Sequence, residues 1–105
     1  MAQFDVFPNP DVPSRKKVPY LVALQSDLLS AFDAAVVAPL RIKAEDVAIP
    51  VLKLNPLVTL DDTQYFLRPQ ELSAIPSRLL KTPIANLSAQ REEILAALDF
   101  LFTGF

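Results

Sequence analysis

Residues 88–105 read SAQREEILAALDFLFTGF and contain no proline, whereas all ten prolines of the chain lie between positions 8 and 83. Proline removes a backbone donor and disfavours a long helix, so this asymmetry predicts short strands and loops first and one uninterrupted helix last. A length of 105 residues suits a single domain that spans 1–105. The predicted fold class is therefore α+β and mainly β.

The C-terminal helix is predicted to run from about Ala89 to Phe102. Ser88 is a suitable N-cap, and Glu92 and Glu93 lie in the early turns, where the helix dipole favours negative charge. From Ile94 onward the helix is apolar on nearly every side. A domain of this size can hardly cover such a helix alone, so the pattern predicts a homodimer or a surface held by another partner.

The first 87 residues are predicted to form short strands and loops. The hairpin is the strongest pattern, because the strand formers of Leu57–Leu60 and Gln64–Leu67 flank the turn residues Asp61-Asp62-Thr63. The other expected elements are strands at Phe4–Phe7, Tyr20–Leu24, Ala34–Leu40 and Val47–Leu54, an exposed loop at Pro8–Lys17, a short helical turn at Leu72–Ile75 and an extended piece at Arg78–Ile84.

The composition excludes several classes of function. The chain has no Cys and no His, which removes disulfides, thiolate nucleophiles and the commonest acid/base and metal-binding side chain. A single glycine rules out a glycine-rich phosphate loop, and a net charge of -2 provides no basic footprint for nucleic acid. No apolar run is long enough to cross a bilayer and the N-terminus does not resemble a signal sequence, so we expect a cytoplasmic protein without cofactor, metal or enzymatic activity.

Few side chains stand out as candidates for chemistry. The neighbouring carboxylates Glu45-Asp46, Asp61-Asp62 and Glu92-Glu93 point apart, so none forms a convincing acid/base pair. The basic run Arg15-Lys16-Lys17 is either a solvated loop or a contact for an acidic partner. The last six residues contain three phenylalanines. Either Gly104 is an ordinary helix stop and the apolar residue beyond it, Phe105, packs back on the domain, or a partner holds this terminus.

Taken together, seven segments in this order and spacing resemble the CcdB toxin family, the toxin half of a bacterial toxin–antitoxin module. The segments are Gln3–Val6, Val22–Leu29, Val37–Leu40, Pro56–Leu60, Glu71–Pro76, Ala85–Ser88 and Ile94–Phe105. The resemblance implies an SH3-like barrel of bent antiparallel strands with one long C-terminal helix, assembled as a symmetric homodimer. It also implies a protein that binds the A subunit of DNA gyrase and traps the enzyme with its DNA cut.

The same resemblance implies a second partner and two sets of site residues. A cognate CcdA-like antitoxin would neutralise the toxin with its disordered C-terminal part and repress transcription together with it. The residues that match the gyrase contact are Leu28, Asp99, Phe102, Thr103, Gly104 and Phe105, although Thr103 stands where the family pattern has Trp and Asp99 where it has an amide. The residues on the antitoxin-facing side are Asn9, Asp11, Val12, Arg15, Lys16 and Lys17.

Two alternatives remain open at the level of sequence. A ribonuclease toxin of the MazF or Kid type resembles CcdB in fold, but it needs cationic and acid/base side chains in one groove. The candidates for such a groove are Arg41, Arg68, Arg78 and Arg91, with scattered acids. The other alternative is a structural β-barrel without toxicity.

Overall fold

The computed structural model describes residues 1–29, 31–43, 51 and 53–104. Within these ranges, seven strands precede one α-helix. The strands are β1 (Asp5–Pro8), β2 (Tyr20–Ala23), β3 (Ala34–Ile42), β4 (Leu57–Leu60), β5 (Thr63–Leu67), β6 (Ser73–Pro76) and β7 (Ala85–Asn86), and the helix is α1 (Arg91–Thr103). No helix within these ranges has both the length and the apolar character to cross a membrane.

The strands form one antiparallel sheet in the order β4-β5-β3-β2-β1-β7. Strand β3 is the longest and pairs along one edge with β2. Along its other edge, β6 pairs with Ala34–Val37 and β5 pairs with Leu40–Ile42. The sheet bends into a nearly closed barrel with α1 packed on it, which confirms the predicted SH3-like α+β fold.

Both faces of the central strands are buried, and alternate residues along these strands belong to two separate hydrophobic cores. In β2, Val22 belongs to the main core, whereas its neighbours Leu21 and Ala23 belong to the second. Helix α1 contributes Ile94 to the main core. The second core contains Leu80 from the chain after β6, with Val18 packed against it. The helix and the irregular segments therefore cover opposite faces of the sheet.

The hairpin is confirmed, with a turn one residue shorter than the sequence predicted. Strands β4 and β5 are joined by Asp61 and Asp62, and Thr63 already pairs with Leu60. Both turn residues have positive φ, 47° and 67°. Two consecutive left-handed residues match the twist of the flanking strands, and Asp tolerates this conformation better than most residues.

The helix ends as predicted but begins differently. Gly104 has φ +79°, and its N–H donates to the Phe100 carbonyl at 2.9 Å, so glycine closes the last turn. At the other end a 3₁₀ turn, Ser88–Gln90, leads into α1, and Ser88 provides no side-chain cap. Instead the Asn86 side-chain oxygen accepts the Ser88 N–H at 2.8 Å. The residue that organises this helix entry therefore lies two positions before the predicted cap.

Two local predictions between β5 and β7 are wrong. Leu72–Ile75 was expected to be a helical turn, but Ser73–Pro76 is strand β6, because the edge of β3 supplies backbone partners there. The 3₁₀ turn lies just before it at Pro69–Glu71, where Pro69 suits a first helical position. The expected extended piece Arg78–Ile84 starts instead within the 3₁₀ turn Ser77–Leu79.

The fourth predicted strand, Val47–Leu54, lies mostly outside the described residues. Its described members Val51, Lys53 and Leu54 belong to no strand.

Candidate functional site

The C-terminal turn of α1 presents an exposed apolar side chain. Phe102 is 71% exposed, and Asp99, Thr103 and Gly104 are exposed beside it. The Thr103 hydroxyl donates to the Asp99 carbonyl at 2.6 Å, and the Gly104 N–H donates to the Phe100 carbonyl. These hydrogen bonds join the last turn only to itself. The remaining predicted tail residue, Phe105, lies outside the described residues.

The rest of the helix is firmly attached to the barrel. Ile94 and Ala97 are buried, and the Gln90 side chain donates to the Leu57 carbonyl of β4 at 2.9 Å. Near the far end, the Lys53 Nζ lies 5.3 Å from the centre of the Phe100 ring, a cation–π contact. The helix, held by these contacts, thus presents Phe102, Thr103 and Gly104 to solvent.

Leu28 lies in a second exposed patch. It belongs to the 3₁₀ turn Asp27–Leu29 and is 93% exposed. Leu29 and Phe32 are also exposed, so this loop displays three large apolar side chains, of which the sequence prediction included only Leu28. The available signal was the position of Leu29 and Phe32 in a short polar segment between two strands, where no core pattern requires apolar residues.

The Leu28 turn is connected to the beginning of α1. The Asp27 carboxylate accepts the Gln3 N–H, and the Gln3 side-chain oxygen accepts a hydrogen bond from Arg91 Nη1 at 2.9 Å. Arg91 is the first residue of a helix about 20 Å long. Among the described residues, no hydrogen bond or ion pair joins the Leu28 turn to 99–104. One chain therefore presents the predicted gyrase residues as two patches.

The loop before β2 is organised around a buried side chain. Asn9 is only 5% exposed, and its amide donates to the Ser14 hydroxyl at 2.8 Å and to the Val18 carbonyl at 2.9 Å. Its side-chain oxygen accepts the Asp11 N–H at 3.0 Å. The sequence prediction placed Asn9 among the contact residues, but its side chain is committed to shaping the loop.

The other five residues predicted on this side are accessible. Asp11, Val12, Arg15, Lys16 and Lys17 are all exposed. The Arg15 Nε donates to the Asn9 carbonyl at 2.5 Å, which directs this guanidinium along the loop. Within the described ranges, none of these three cations forms an ion pair. The loop therefore offers a positively charged, partly apolar surface.

The arginines that a nuclease groove would need do not converge. Arg41 and Arg68 both bind Glu71, with an Nη2–Oε2 distance of 3.2 Å and an Nε–Oε1 distance of 2.6 Å. Arg91 lies against Gln3 and the Phe4 ring instead. Because both arginines engage the Glu71 carboxylate, this cluster is a surface ion-pair network, and it brings together only two of the four candidate arginines.

In the described part of the chain, no group of three His, Cys, Asp or Glu residues is arranged to hold a metal ion. Inside the barrel, burial and, next in size, the nearby Tyr20 raise the pKa of Tyr65. These two rings meet edge to face with centroids 5.6 Å apart.

Comparison with known proteins identifies a family match. The family described as "CcdB protein" matches residues 3–104, which is nearly the whole chain. A search of curated proteins returned no match. The match includes both exposed patches and the loop before β2.

Proposed function

This chain belongs to the CcdB family of toxins from toxin–antitoxin modules, and we propose that it acts by binding the A subunit of DNA gyrase and trapping the enzyme with its DNA cut. In this proposal the chain is one domain over 1–105 that works in the cytoplasm. It needs no cofactor and catalyses no reaction itself. A cognate antitoxin neutralises it and represses transcription together with it.

The exposed end of α1 is the observation that carries the gyrase proposal. Phe102 is a large aromatic side chain that is 71% exposed at the end of a helix anchored to the barrel, and a partner that covers it gains the free energy of burying its apolar surface. Phe102 supplies the apolar anchor of the contact, and the exposed residues Asp99, Thr103 and Gly104 lie beside it. Phe105, which lies outside the described residues, is proposed as part of the same contact from the family pattern. Thr103 lacks the ring of the family's Trp, so Phe102 contributes a larger share of the binding energy here.

A symmetric homodimer brings the two exposed patches into one target surface. On α1, Leu95, Leu98 and Leu101 are only half-buried, and a second copy would cover them. The dimer presents two helix ends and two Leu28 turns. A symmetric target such as the gyrase A dimer can then be contacted by both copies at once.

The antitoxin contact rests on the charge of the loop before β2. Arg15, Lys16 and Lys17 are exposed and unpaired within the described residues, beside the exposed Val12. A disordered acidic segment with apolar side chains complements such a surface and is steered towards it by charge. Asn9 contributes by holding the loop in shape.

Deletion of Thr103–Phe105 tests the gyrase proposal. The hydrogen bonds of Thr103 and Gly104 stay within the last turn, so we expect the free energy of unfolding to fall by about 0.5 kcal/mol and the Tm to fall by a few degrees. Binding to a purified gyrase A fragment, measured by calorimetry, should be lost. The control is Ile94→Ala, which opens the core and should lower the Tm strongly, with gyrase binding reduced only in proportion to the folded fraction. Unchanged gyrase affinity of the truncated protein would refute the site.

A further inference from the structure

A groove lies between the loop before β2 and the segment that follows β6. It has a volume of about 380 Å³ and is lined by Pro8, Pro10, Arg15, Leu79, Lys81 and Thr82. The last three residues belong to neither of the two contact sets predicted from the sequence.

Buried neighbouring residues and hydrogen bonds hold the residues that line the groove in place. Phe7, just before Pro8, and Leu80, just after Leu79, are both buried in the second core. The Leu80 N–H donates to the Ser77 carbonyl at 3.1 Å, and Arg15 is held by its bond to the Asn9 carbonyl. A partner would therefore meet a preformed groove and would not have to order it.

Positive charge is concentrated around this groove. The two segments Pro8–Lys17 and Ser77–Thr82 contain five of the ten Lys and Arg residues and, in Asp11, one of the twelve acids. They therefore carry a charge of +4 and the rest of the chain -6, which gives the net -2. Within the described ranges none of these five cations forms an ion pair, although Arg78 lines a separate hollow with Asp33. In contrast, Arg41 and Arg68 both form ion pairs with Glu71.

The groove also offers apolar surface and backbone donors. Leu79 is 39% exposed, and the rings of Pro8 and Pro10 lie across from it. The Lys81 and Thr82 N–H groups donate to no acceptor within the described part of the chain. An extended peptide could place an apolar side chain against Leu79 and a carboxylate between Arg15 and Lys81, with its backbone next to these donors.

We propose that this groove binds an acidic, apolar-containing segment of the antitoxin, so that Leu79, Lys81 and Thr82 extend the antitoxin surface beyond the loop before β2. The inference rests on the proposed function for the identity of the partner. A peptide fits better than a nucleic acid, because no aromatic ring lines the groove for base stacking and the chain as a whole is negative.

The test compares Lys81→Gln and Leu79→Ser with matched controls away from the groove. The controls are Lys43→Gln, another exposed lysine, and Leu57→Ser, a leucine of similar exposure on β4. The probe is the purified antitoxin. Lys81→Gln should raise the Kd for the antitoxin about three- to fivefold, the effect expected for the loss of one partly exposed ion pair. Leu79→Ser should raise it about tenfold, because the side chain loses its apolar contact. The controls should change the Kd less than twofold, and all four variants should keep parental affinity for the gyrase A fragment.

The outcomes separate this inference from the proposed function. Unchanged antitoxin affinity in both groove variants would overturn the groove while leaving the toxin proposal intact. If the parent binds neither gyrase nor antitoxin, the proposed function fails, and the groove is then tested with the synthetic peptide Ac-LDLELD-amide against its uncharged counterpart Ac-LNLQLN-amide. Preferential binding of the acidic peptide, lost in Lys81→Gln, supports the groove, and equal or absent binding overturns it. Binding of a single-stranded oligonucleotide that depends on Lys81 would overturn the assignment to a peptide.

Discussion

Replacement of Asn9 by alanine separates the shape of the loop before β2 from its contacts. The side chain makes three hydrogen bonds, to the Ser14 hydroxyl, the Val18 carbonyl and the Asp11 N–H. Each such bond contributes about 1 kcal/mol, and the partly buried Val18 carbonyl loses a partner. We expect Asn9→Ala to lower the free energy of unfolding by about 2 to 3 kcal/mol and the Tm by roughly 10 °C.

The assay is thermal and urea denaturation of Asn9→Ala beside Asp11→Ala. The Asp11 side chain is exposed and makes no hydrogen bond within the described residues, so its removal should change stability by less than about 0.5 kcal/mol. At a temperature where Asn9→Ala is folded, its antitoxin affinity should fall because the loop is no longer held, while its gyrase affinity should stay parental. A Tm of Asn9→Ala within 2 °C of the parent would refute the structural role of this side chain.

Four further outcomes follow from the same structure. Sedimentation at micromolar concentration should give about twice 11.6 kDa if a second copy covers the half-buried face of α1 as we propose, and a clean monomer would contradict the dimer. Replacing Arg15, Lys16 and Lys17 together by Ser should slow antitoxin association and flatten its salt dependence in stopped-flow measurements, whereas identical kinetics would remove this loop from the antitoxin surface. Thr103→Trp should tighten binding to the gyrase A fragment by restoring a large ring beside Phe102, and weaker binding would show that the contact has a different geometry. Burial raises the pKa of Tyr65 above its unfolded value near 10. The neutral hydroxyl's contribution to stability is therefore complete below pH 10 and is lost as the pH rises through the folded pKa. The free energy of unfolding of Tyr65→Phe should depend less on pH above pH 10 than that of the parent, and identical profiles would show that Tyr65 is not the source of this pH dependence.

The fold was predictable where local chemistry and tertiary structure agree. The alternating strand formers and the Asp61-Asp62 turn define the β4–β5 hairpin without help from the rest of the chain. Likewise, the proline-free stretch before Gly104 is a helix in the structure because nothing interrupts its hydrogen bonds. In both cases the decisive interactions join residues that are close in sequence.

The sequence-based predictions fail where contacts with residues distant in sequence determine the local structure. Ser73–Pro76 has a weak local preference, and it forms a strand only because the edge of β3 lies beside it. Asn9 looks like an ordinary polar loop residue, and only the folded loop shows that its amide is buried between Ser14 and Val18. Leu79 and Lys81 join Arg15 in one groove across more than 60 positions of sequence, a proximity that no local pattern encodes.

We propose that this chain traps gyrase on cut DNA, and a gyrase cleavage assay detects the trapped complex. Purified protein is incubated with gyrase, ATP and supercoiled plasmid, and the complex is then denatured with detergent and digested with protease. Linear plasmid should accumulate with the parent protein and should not accumulate with the protein that lacks Thr103–Phe105. Plasmid that stays uncut at saturating parent protein, or messenger RNA that is cleaved in a parallel reaction without gyrase, would contradict the account.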